Sequence, residues 1–464
     1  MRLFSDESEK SQLIRKLFTV HLIKEVCMKF SDYVKVMLMD SVRELIADPG
    51  RFARSPGRDF SRNRKIGIRD LLLMLLTMEA DCIKEELYRY FGRSTDAPSK
   101  TAFYRQRQKL RDDALRSLLL AFNRKCSKKL FKDKYSLVAC DGSAADIFRN
   151  PQDPDTFFEP NDKSKKGYNQ IYINALYSIL DKKFVDLVIQ PARRRNEYSA
   201  FCQMVDRAET ENPVIYICDR GYASYNDFAH VIESGQFFLI RCTDVKTRNL
   251  LGFSLDGVKA LDYHVDRILS RSVSKKKRLH PELSDRYRYI CRNVPMDYIS
   301  PDCPEYHMSL RVVRFQLPGG TFENLVTNLP DLEFSLDDLG DLYHLRWNEE
   351  TAYRDLKYPL CLKAFHSKKY EYTVQEVWAG AVLHNFCMEI TIHVEIPRKN
   401  TKHVYQANYS EAIKICRDFL GIHDGITVLD VEGLIAQNTE PVRPGRTYAR
   451  QARFKLPMSF CYRH

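Results

Sequence analysis

The chain has 464 residues, of which 44% are hydrophobic, and this is enough for more than one folded core. Lysine and arginine number 73 against 61 acidic residues, a formal net charge of +12. This excess favours a polyanionic partner, nucleic acid first, although basic chains without such a partner are about as common. Thirteen cysteines without a CxxC pair argue against a disulfide framework and a cysteine-ligated zinc site. Without an 18-residue apolar run we predict no membrane partner and a cytoplasmic location.

The first 130 residues predict a helical region. Apolar periodicity runs through Leu71–Met78 and again through Ile83–Phe91. A break at "RSTDAPSK" separates these from a basic segment that begins at Lys100 and continues to Lys125. A short helix, a turn and a basic helix are compatible with a helix-turn-helix that presents Lys100, Arg105, Arg107 and Lys109 to DNA. A solvated helix face is the alternative, and for a lone basic helix it is the commoner one.

From about residue 135 the apolar period becomes that of strands. "YSLVACDGS" predicts a strand that ends in Asp141, and "YINALYSIL" with "KKFVDLVIQ" predicts a hairpin turning at Asp181 and Lys182. A helix, a fourth strand that ends in Asp219, a second helix and a fifth strand, "QFFLIRC", follow. This order predicts a mixed sheet covered by helices.

Residues 242–330 predict a strand-rich insertion whose charge run, Lys275–Arg278, lies on an exposed loop. Helical periodicity returns at residue 334, where Ser335 and Asp338 have capping-box spacing. The C-terminal part from 370 to 430 predicts helices and is followed by a basic tail. The arginine run before Glu197, Arg193–Arg195, contacts DNA phosphates or is a solvated loop, and the sequence leaves both open.

The stretch "YHLRWNEETAYRDLK" places charged and phenolic side chains on one face of a helix. At about 100° per residue, Tyr343, Arg346, Glu350, Tyr353 and Lys357 share a stripe about 80° wide. Alone, this pattern is best explained as a solvated face with an Arg346–Glu350 ion pair.

Asp141, Asp219 and Glu350 together suggest a metal site. Carboxylates at strand ends lie at the sheet edge, where ligands bind, although a single such aspartate is usually a turn or cap residue. Three carboxylates can hold hard cations such as Mg²⁺, and a pair of ions can assist an in-line displacement at phosphate.

These residues carry a family resemblance. The spacing Tyr343-x2-Arg346-x3-Glu350-x6-Lys357, after "CDGS" and "CDRGY", resembles the DDE transposases of bacterial insertion elements, of the insertion-sequence-four type. The resemblance implies an α/β fold with an RNase H-like core split by a β-strand insertion. It divides the chain into a helical DNA-binding region (1–130), a first core part (131–241), the insertion (242–330), a second core part (331–395) and a C-terminal helical region with the basic tail (396–464).

The resemblance also implies roles for individual residues. Asp141, Asp219 and Glu350 would be catalytic ligands of two Mg²⁺ ions, with Mn²⁺ as a substitute. Contacts to DNA would come from Tyr343, Arg346, Lys357, Arg220, Lys100 and Arg105. Double-stranded DNA, as transposon ends and target, would be the partner of a homodimer at the bacterial nucleoid.

Two other functions stay open. One is a catalytically silent, transposase-derived DNA-binding protein, and the other is an RNase H-fold nuclease that cuts without joining. Some relatives stack a flipped base on a Trp of the insertion, but Trp347 and Trp378 both lie outside residues 242–330. The sequence therefore leaves the route of excision open, by a hairpin or otherwise.

Overall fold

A computed structural model describes residues 28–162, 164–317, 319–346, 365–397, 404–421 and 429–442. Trp347, Glu350, Tyr353, Lys357 and most of the basic tail lie outside these ranges. Within them, no helix combines the length and apolarity needed to cross a membrane.

The predicted N-terminal helices are present in the described residues. They are α1 (Phe30–Ala47), α2 (Ile68–Thr77), α3 (Ile83–Tyr90), α4 (Lys100–Arg107) and α5 (Ala114–Lys125). The basic segment from Lys100 is therefore two helices and not one. Between them the chain pairs with residues 52–54: Arg54 N donates to Lys109 O at 2.8 Å, and Arg111 N donates to Phe52 O at 2.8 Å. These bonds replace the i→i−4 bonds that a continuous helix would need.

The α3–α4 pair does not form the predicted helix-turn-helix. Residues 91–99 separate the two helices, whereas that motif has a turn of about three to four residues. The longer connection contains Gly92 and Arg93, both with positive φ.

Ten strands of the described chain form one mixed sheet. They are β1 (Ser136–Ile147), β2 (Phe157–Phe158), β3 (Tyr168–Ser178), β4 (Lys183–Pro191), β5 (Val214–Cys218), β6 (Phe237–Cys242), β7 (Leu261–Ser270), β8 (Tyr287–Tyr289), β9 (Glu305–Gln316) and β10 (Phe322–Thr327). The predicted hairpin is confirmed, because β3 and β4 pair antiparallel from Ser178–Lys183 onward. The order is β2-β3-β1-β5-β6-β10-β9-β7-β8, and β4 also pairs with β3.

One half of the sheet consists of β4, β3, β1, β5 and β6 in that spatial order, with β4 at the border. The neighbours β1, β5 and β6 are parallel, and β3 is antiparallel to both β1 and β4. The pairing of β1 with β5 ends at Cys140–Cys218, so the carboxyl end of β5 lies beside the middle of β1.

Residues 242–330 contain the strands β7 to β10, but these strands do not form a sheet of their own. They extend the central sheet, because β10 pairs antiparallel with β6 and β9 pairs with both β10 and β7. Helices α8 (Asp244–Leu251) and α9 (Val273–Leu279) lie between these strands in sequence. The charge run Lys275–Arg278 belongs to α9, so the exposed loop predicted for it is wrong.

Helices cover both faces of the sheet. On one face, α6 (Glu197–Asp206), α7 (Tyr225–Glu233) and α8 pack on Val138, Cys140 and their neighbours. On the other face, α10 (Leu336–Leu345) packs on Leu137, Ala139 and the apolar residues of β5. Alternate residues of β1 thus serve two separate cores, as the pleat of a strand requires.

The N-terminal helices share a core with the C-terminal helices and with β3 and β4. This cluster includes residues of α1 to α5, of α11 (Tyr370–Thr391), and of α12 (Tyr409–Gly421) and α13 (Val431–Gln437). Arg107 of α4 is fully buried inside it and is bonded to Glu376 of α11 at 2.8 Å. A small hairpin, β11 (Tyr405–Ala407) with β12 (Thr439–Pro441), completes the described chain.

Strand β4 borders the sheet, and side chains bind its outward backbone groups. Asn385 of α11 accepts from Phe184 N and donates to Phe184 O, both at 2.8 Å. Arg207 donates to Leu187 O at 2.8 Å, and the Tyr370 hydroxyl donates to Ile189 O at 3.1 Å. These bonds satisfy the main-chain groups that would otherwise have no strand partner.

Candidate active site

Asp141 and Asp219 occupy corresponding positions on neighbouring strands. The parallel pairing of β1 with β5 ends at Cys140–Cys218, and each aspartate follows directly. Neighbouring strands lie about 4.8 Å apart, so the two carboxylates belong to one site. Each is held by a nearby main-chain amide, because Gly142 N donates to Asp141 Oδ1 at 2.7 Å and Gly221 N donates to Asp219 Oδ1 at 2.6 Å.

The local sequence explains the placement of Asp219. All five residues of β5 are buried, and Asp219 then caps a single 3₁₀ turn, Arg220–Tyr222. The Tyr222 ring is buried, which anchors the turn in the core. A strand that ends in a capped, anchored turn keeps the carboxylate at the edge of the sheet.

Asp141 differs from its prediction as a strand end. Strand β1 continues through Asp141 and Gly142 to Ile147, paired with β3 throughout. "DGS" is therefore not a turn. The strand continues because β3 is long enough to pair with it, while β5 is not.

Helix α10 brings the first half of the signature to the aspartates. It begins with the predicted capping box, in which Asp338 N donates to Ser335 Oγ at 3.2 Å and Ser335 N donates to Asp338 Oδ2 at 2.9 Å. Its apolar face packs on the sheet. Arg346 follows the last turn and is only 5% exposed.

The charge of Arg346 is favoured by both aspartates. Burial alone lowers the pKa of Arg346, but Tyr343 and the carboxylates of Asp141 and Asp219 favour the charged form and raise it overall. Tyr343 is 2% exposed and burial raises its pKa to about 12. Both side chains were predicted to contact DNA, yet the structure buries them beside the aspartates.

Tyr172 and Glu197 flank the site from the opposite face of the sheet, and the sequence reasoning assigned neither a role. The Tyr172 hydroxyl oxygen lies 2.6 Å from the point where a Cβ of Gly142 would be, so only glycine fits there. Burial and the Glu197 carboxylate raise the pKa of Tyr172. Glu197 Oε2 lies 3.6 Å from the ideal Cβ position of Gly221, in the loop of Asp219.

Little in the sequence could have revealed this pair. Tyr172 lies in a strand in which every residue is buried, where an aromatic residue is expected. Glu197 closes the Arg193–Arg195 loop, but neither its spacing nor its neighbours connect it with Asp219. Their proximity to the aspartates depends on the pairing of β3 with β1 and on the packing of α6.

The donor set suits a hard divalent cation. Asp141 and Asp219 supply carboxylate oxygens, the ligand type that Mg²⁺ and Mn²⁺ prefer. Among the described residues, no group of three His, Cys, Asp or Glu side chains is placed to hold a metal ion. The predicted third ligand, Glu350, lies outside those residues, as does Lys357.

Of the other residues predicted to contact DNA, one lies beside the site and two lie on helix α4. Arg220 is exposed directly after Asp219, whereas Lys100 and Arg105 are exposed on α4. Arg107, predicted to lie on the same basic face, is buried, so that face is smaller than expected. The reason is helical spacing: Arg107 follows Phe103 by four residues and therefore points to the core with it.

The geometry can be compared with known proteins. A family model described as "Transposase DDE domain" matches residues 132–386. Among curated proteins, none matches the chain in sequence. A cryo-EM structure of the piggyBac transposase synaptic complex with hairpin DNA is 11% identical, covering 89% of this chain and 84% of that one, with a TM-score of 0.37. That score is too low to establish a shared fold.

The family match spans more than half of the chain and includes both aspartates, β1 to β10 and α10. The chain belongs to the DDE transposase family.

Proposed function

We propose that this protein is a divalent-metal-dependent DNA transposase. It binds the terminal inverted repeats of an insertion element, cleaves at the ends and joins the freed 3′-hydroxyl groups to target DNA. One observation carries the proposal: Asp141 and Asp219 each follow directly after Cys140–Cys218, the last residue pair between the parallel strands β1 and β5, and the charges of both favour the charged form of the buried Arg346. The strand order β4-β3-β1-β5-β6 and the directions of these strands support an RNase H-like core.

Asp141, Asp219 and Glu350 would hold two Mg²⁺ ions, or Mn²⁺ in their place. Such ions supply activation of the attacking oxygen and stabilisation of the leaving one. The amides of Gly142 and Gly221 fix one oxygen of each aspartate, which limits the reorganisation needed for ligand binding.

Arg346 and Tyr343 act here as positioning residues. Because both are buried, we assign Arg346 to orienting and charge-balancing the two aspartates, and Tyr343 to holding Arg346. The Arg346 guanidinium lies 5.7 Å from the Tyr343 ring centre. Phosphate contacts fall to the exposed Arg220, Lys100 and Arg105, and to Lys357.

The insertion-sequence-four type, a bacterial nucleoid and a homodimer that synapses two ends are part of the proposal. Their support is the spacing of Tyr343, Arg346, Glu350 and Lys357, together with the family match.

The test uses purified protein, a labelled duplex with the element's terminal inverted repeat and supercoiled plasmid as target. With Mg²⁺ we expect nicking at the repeat and a joined product, and with EDTA neither. Asp141→Asn, Asp219→Asn and Glu350→Gln should each reduce both products at least about a hundredfold, because the charge and geometry of a ligand are lost.

Three outcomes would contradict the proposal in different ways. Nicking without joining would make the protein a nuclease. Binding without cleavage in any metal would make it a catalytically silent DNA-binding protein. Full activity of Asp141→Asn would remove this aspartate from the metal site.

A further inference from the structure

The loop between β4 and α6 contains three consecutive arginines, and their side chains make different contacts. Arg193 and Arg194 are bound to the connection between β1 and β3. Arg193 Nη1 donates to Phe157 O at 3.1 Å, and Arg194 Nε pairs with Asp155 Oδ1 at 2.7 Å. These two side chains therefore fasten one loop to another.

Arg195 is held in a different way. Its guanidinium carbon lies 5.0 Å from the centre of the Tyr172 ring, and the residue is exposed. No carboxylate of the described residues forms an ion pair with it. A guanidinium over an aromatic face makes a cation–π contact that does not use its N–H groups, which can then bind a phosphate.

Tyr172 places this guanidinium near the candidate active site. Tyr172 is 9% exposed, and its ring lies against Gly142, the residue after Asp141. Its hydroxyl interacts with Glu197, the first residue of α6. The ring is thus fixed on both sides, so Arg195 is held with less conformational freedom than an ordinary surface arginine.

We infer that Arg195 is a phosphate-binding residue of the DNA path, held by Tyr172 at the edge of the sheet that carries Asp141 and Asp219. The ligand is a backbone phosphate of the DNA strand that enters this site. The inference rests on the proposed function for the identity of the polymer. Asp141 and Arg195 approach from opposite faces of β1, so a strand across the sheet edge meets both.

Arg194 provides the matched control. Arg195→Ala and Arg194→Ala change the net charge equally at adjacent positions, but only the first removes a stacked and unpaired guanidinium. The measurement is fluorescence anisotropy with the labelled terminal-repeat duplex in EDTA, repeated over a range of salt concentrations.

We expect Arg195→Ala to weaken binding about tenfold at physiological salt, as the loss of one charge-assisted contact implies. The slope of log affinity against log salt should fall by about one. Arg194→Ala should change affinity less than about twofold. Equal effects of the two substitutions would overturn the inference, because they would indicate only the general positive field.

A double-mutant cycle tests the role of Tyr172. Tyr172→Leu removes the ring and should weaken binding as Arg195→Ala does, with little further loss in the double variant. Tyr172→Phe keeps the ring and should bind like the wild type. Additive losses from Tyr172→Leu and Arg195→Ala would contradict the stacked arrangement.

The failure of this inference differs from failure of the proposed function. Asp141→Asn should lose cleavage and still bind DNA. If the Asp141→Asn variant cleaves DNA, the proposed metal site is wrong. The binding measurements on Arg195→Ala still test whether Arg195 contacts DNA. Thermal melts check that each variant is folded, and Arg195→Gln replaces Arg195→Ala should the latter not fold.

Discussion

Glycine is required at position 142 because the Tyr172 ring lies against it, and not because the chain turns there. In the sequence, "DGS" has the composition of a turn. In the structure the glycine lies inside β1 with an unexceptional φ, and Tyr172 fills the space that a side chain would need. A close approach of this kind depends on the partner strand, so the local sequence cannot distinguish it from a turn.

We expect Gly142→Ala to destabilise the protein by about 1–3 kcal/mol, because the buried Tyr172 ring cannot move away freely. Cleavage should fall as well, since Asp141 is the preceding residue. Denaturant unfolding measures the first effect. In a Tyr172→Ala background the same Gly142→Ala substitution should cost less, and an equal cost in both backgrounds would show that the clash is elsewhere.

Arg107 is the second residue whose role depends on tertiary packing. Its guanidinium bonds Glu376 and Gln375, both at 2.8 Å, inside a fully buried site. Removing one member of a buried ion pair costs about 3–5 kcal/mol, and the low end applies here because Glu376 keeps its contact with His366. Arg107→Ala should lower the free energy of unfolding by this amount, measured by denaturant titration.

Lys100 on the same helix is the control for that experiment. Its side chain is exposed, so Lys100→Ala should change stability by less than about 0.5 kcal/mol. Similar losses in both variants would mean that helix α4 itself, and not the buried pair, is responsible.

Among the elements, α3 and α11 are joined through a buried histidine. His366 lies 3.2 Å from Glu376 of α11 and 3.6 Å from Glu86 of α3. Burial alone lowers the pKa of His366, but the two glutamates raise it to about 9. Protonated His366 therefore stabilises the contact between the two helices.

The sign of the pH dependence follows from this shift. A histidine with a raised folded pKa contributes its full stability below its unfolded value of about 6.5, and loses it as the pH rises through 9. The free energy of unfolding should fall across this window by at most about 3 kcal/mol. His366→Gln should show a flatter profile, and an equal slope would assign the titration to another group.

Most single helices and strands could be predicted from the sequence, but which elements pack or pair with one another in space could not. The β3–β4 hairpin, helix α7 and the capping box of α10 follow from apolar period and local polar residues. The joining of β10 to β6 is a pairing between distant segments, and no local pattern specifies it. Asp141 and Asp219 could be predicted as site residues because each follows an apolar strand in the sequence. Tyr172 and Glu197 could not, because they reach the site only through long-range pairing and packing.

For the whole molecule, the shared core makes the N-terminal helices part of a larger folding unit. Residues 1–130 were predicted as a region of their own, yet α1 to α5 pack into one cluster with α11 and β4. A chain of residues 131–464 would expose that apolar surface to water. We expect this truncated chain to aggregate or to lack a cooperative melt, measured by circular dichroism, while the full chain unfolds in one transition. A cooperative melt of the shorter chain would contradict the shared core.

The bonded border of β4 limits how this protein can assemble. Exposed edge strands recruit further strands, which is a common route to dimers and also to aggregation. Here Asn385, Arg207 and Tyr370 already bind outward main-chain groups of β4, and the opposite end of the sheet closes with the three-residue β8. A pair of copies would therefore find little free main chain along the described β4 and β8 borders of this sheet, and contacts made there through side chains could separate without breaking strand pairing.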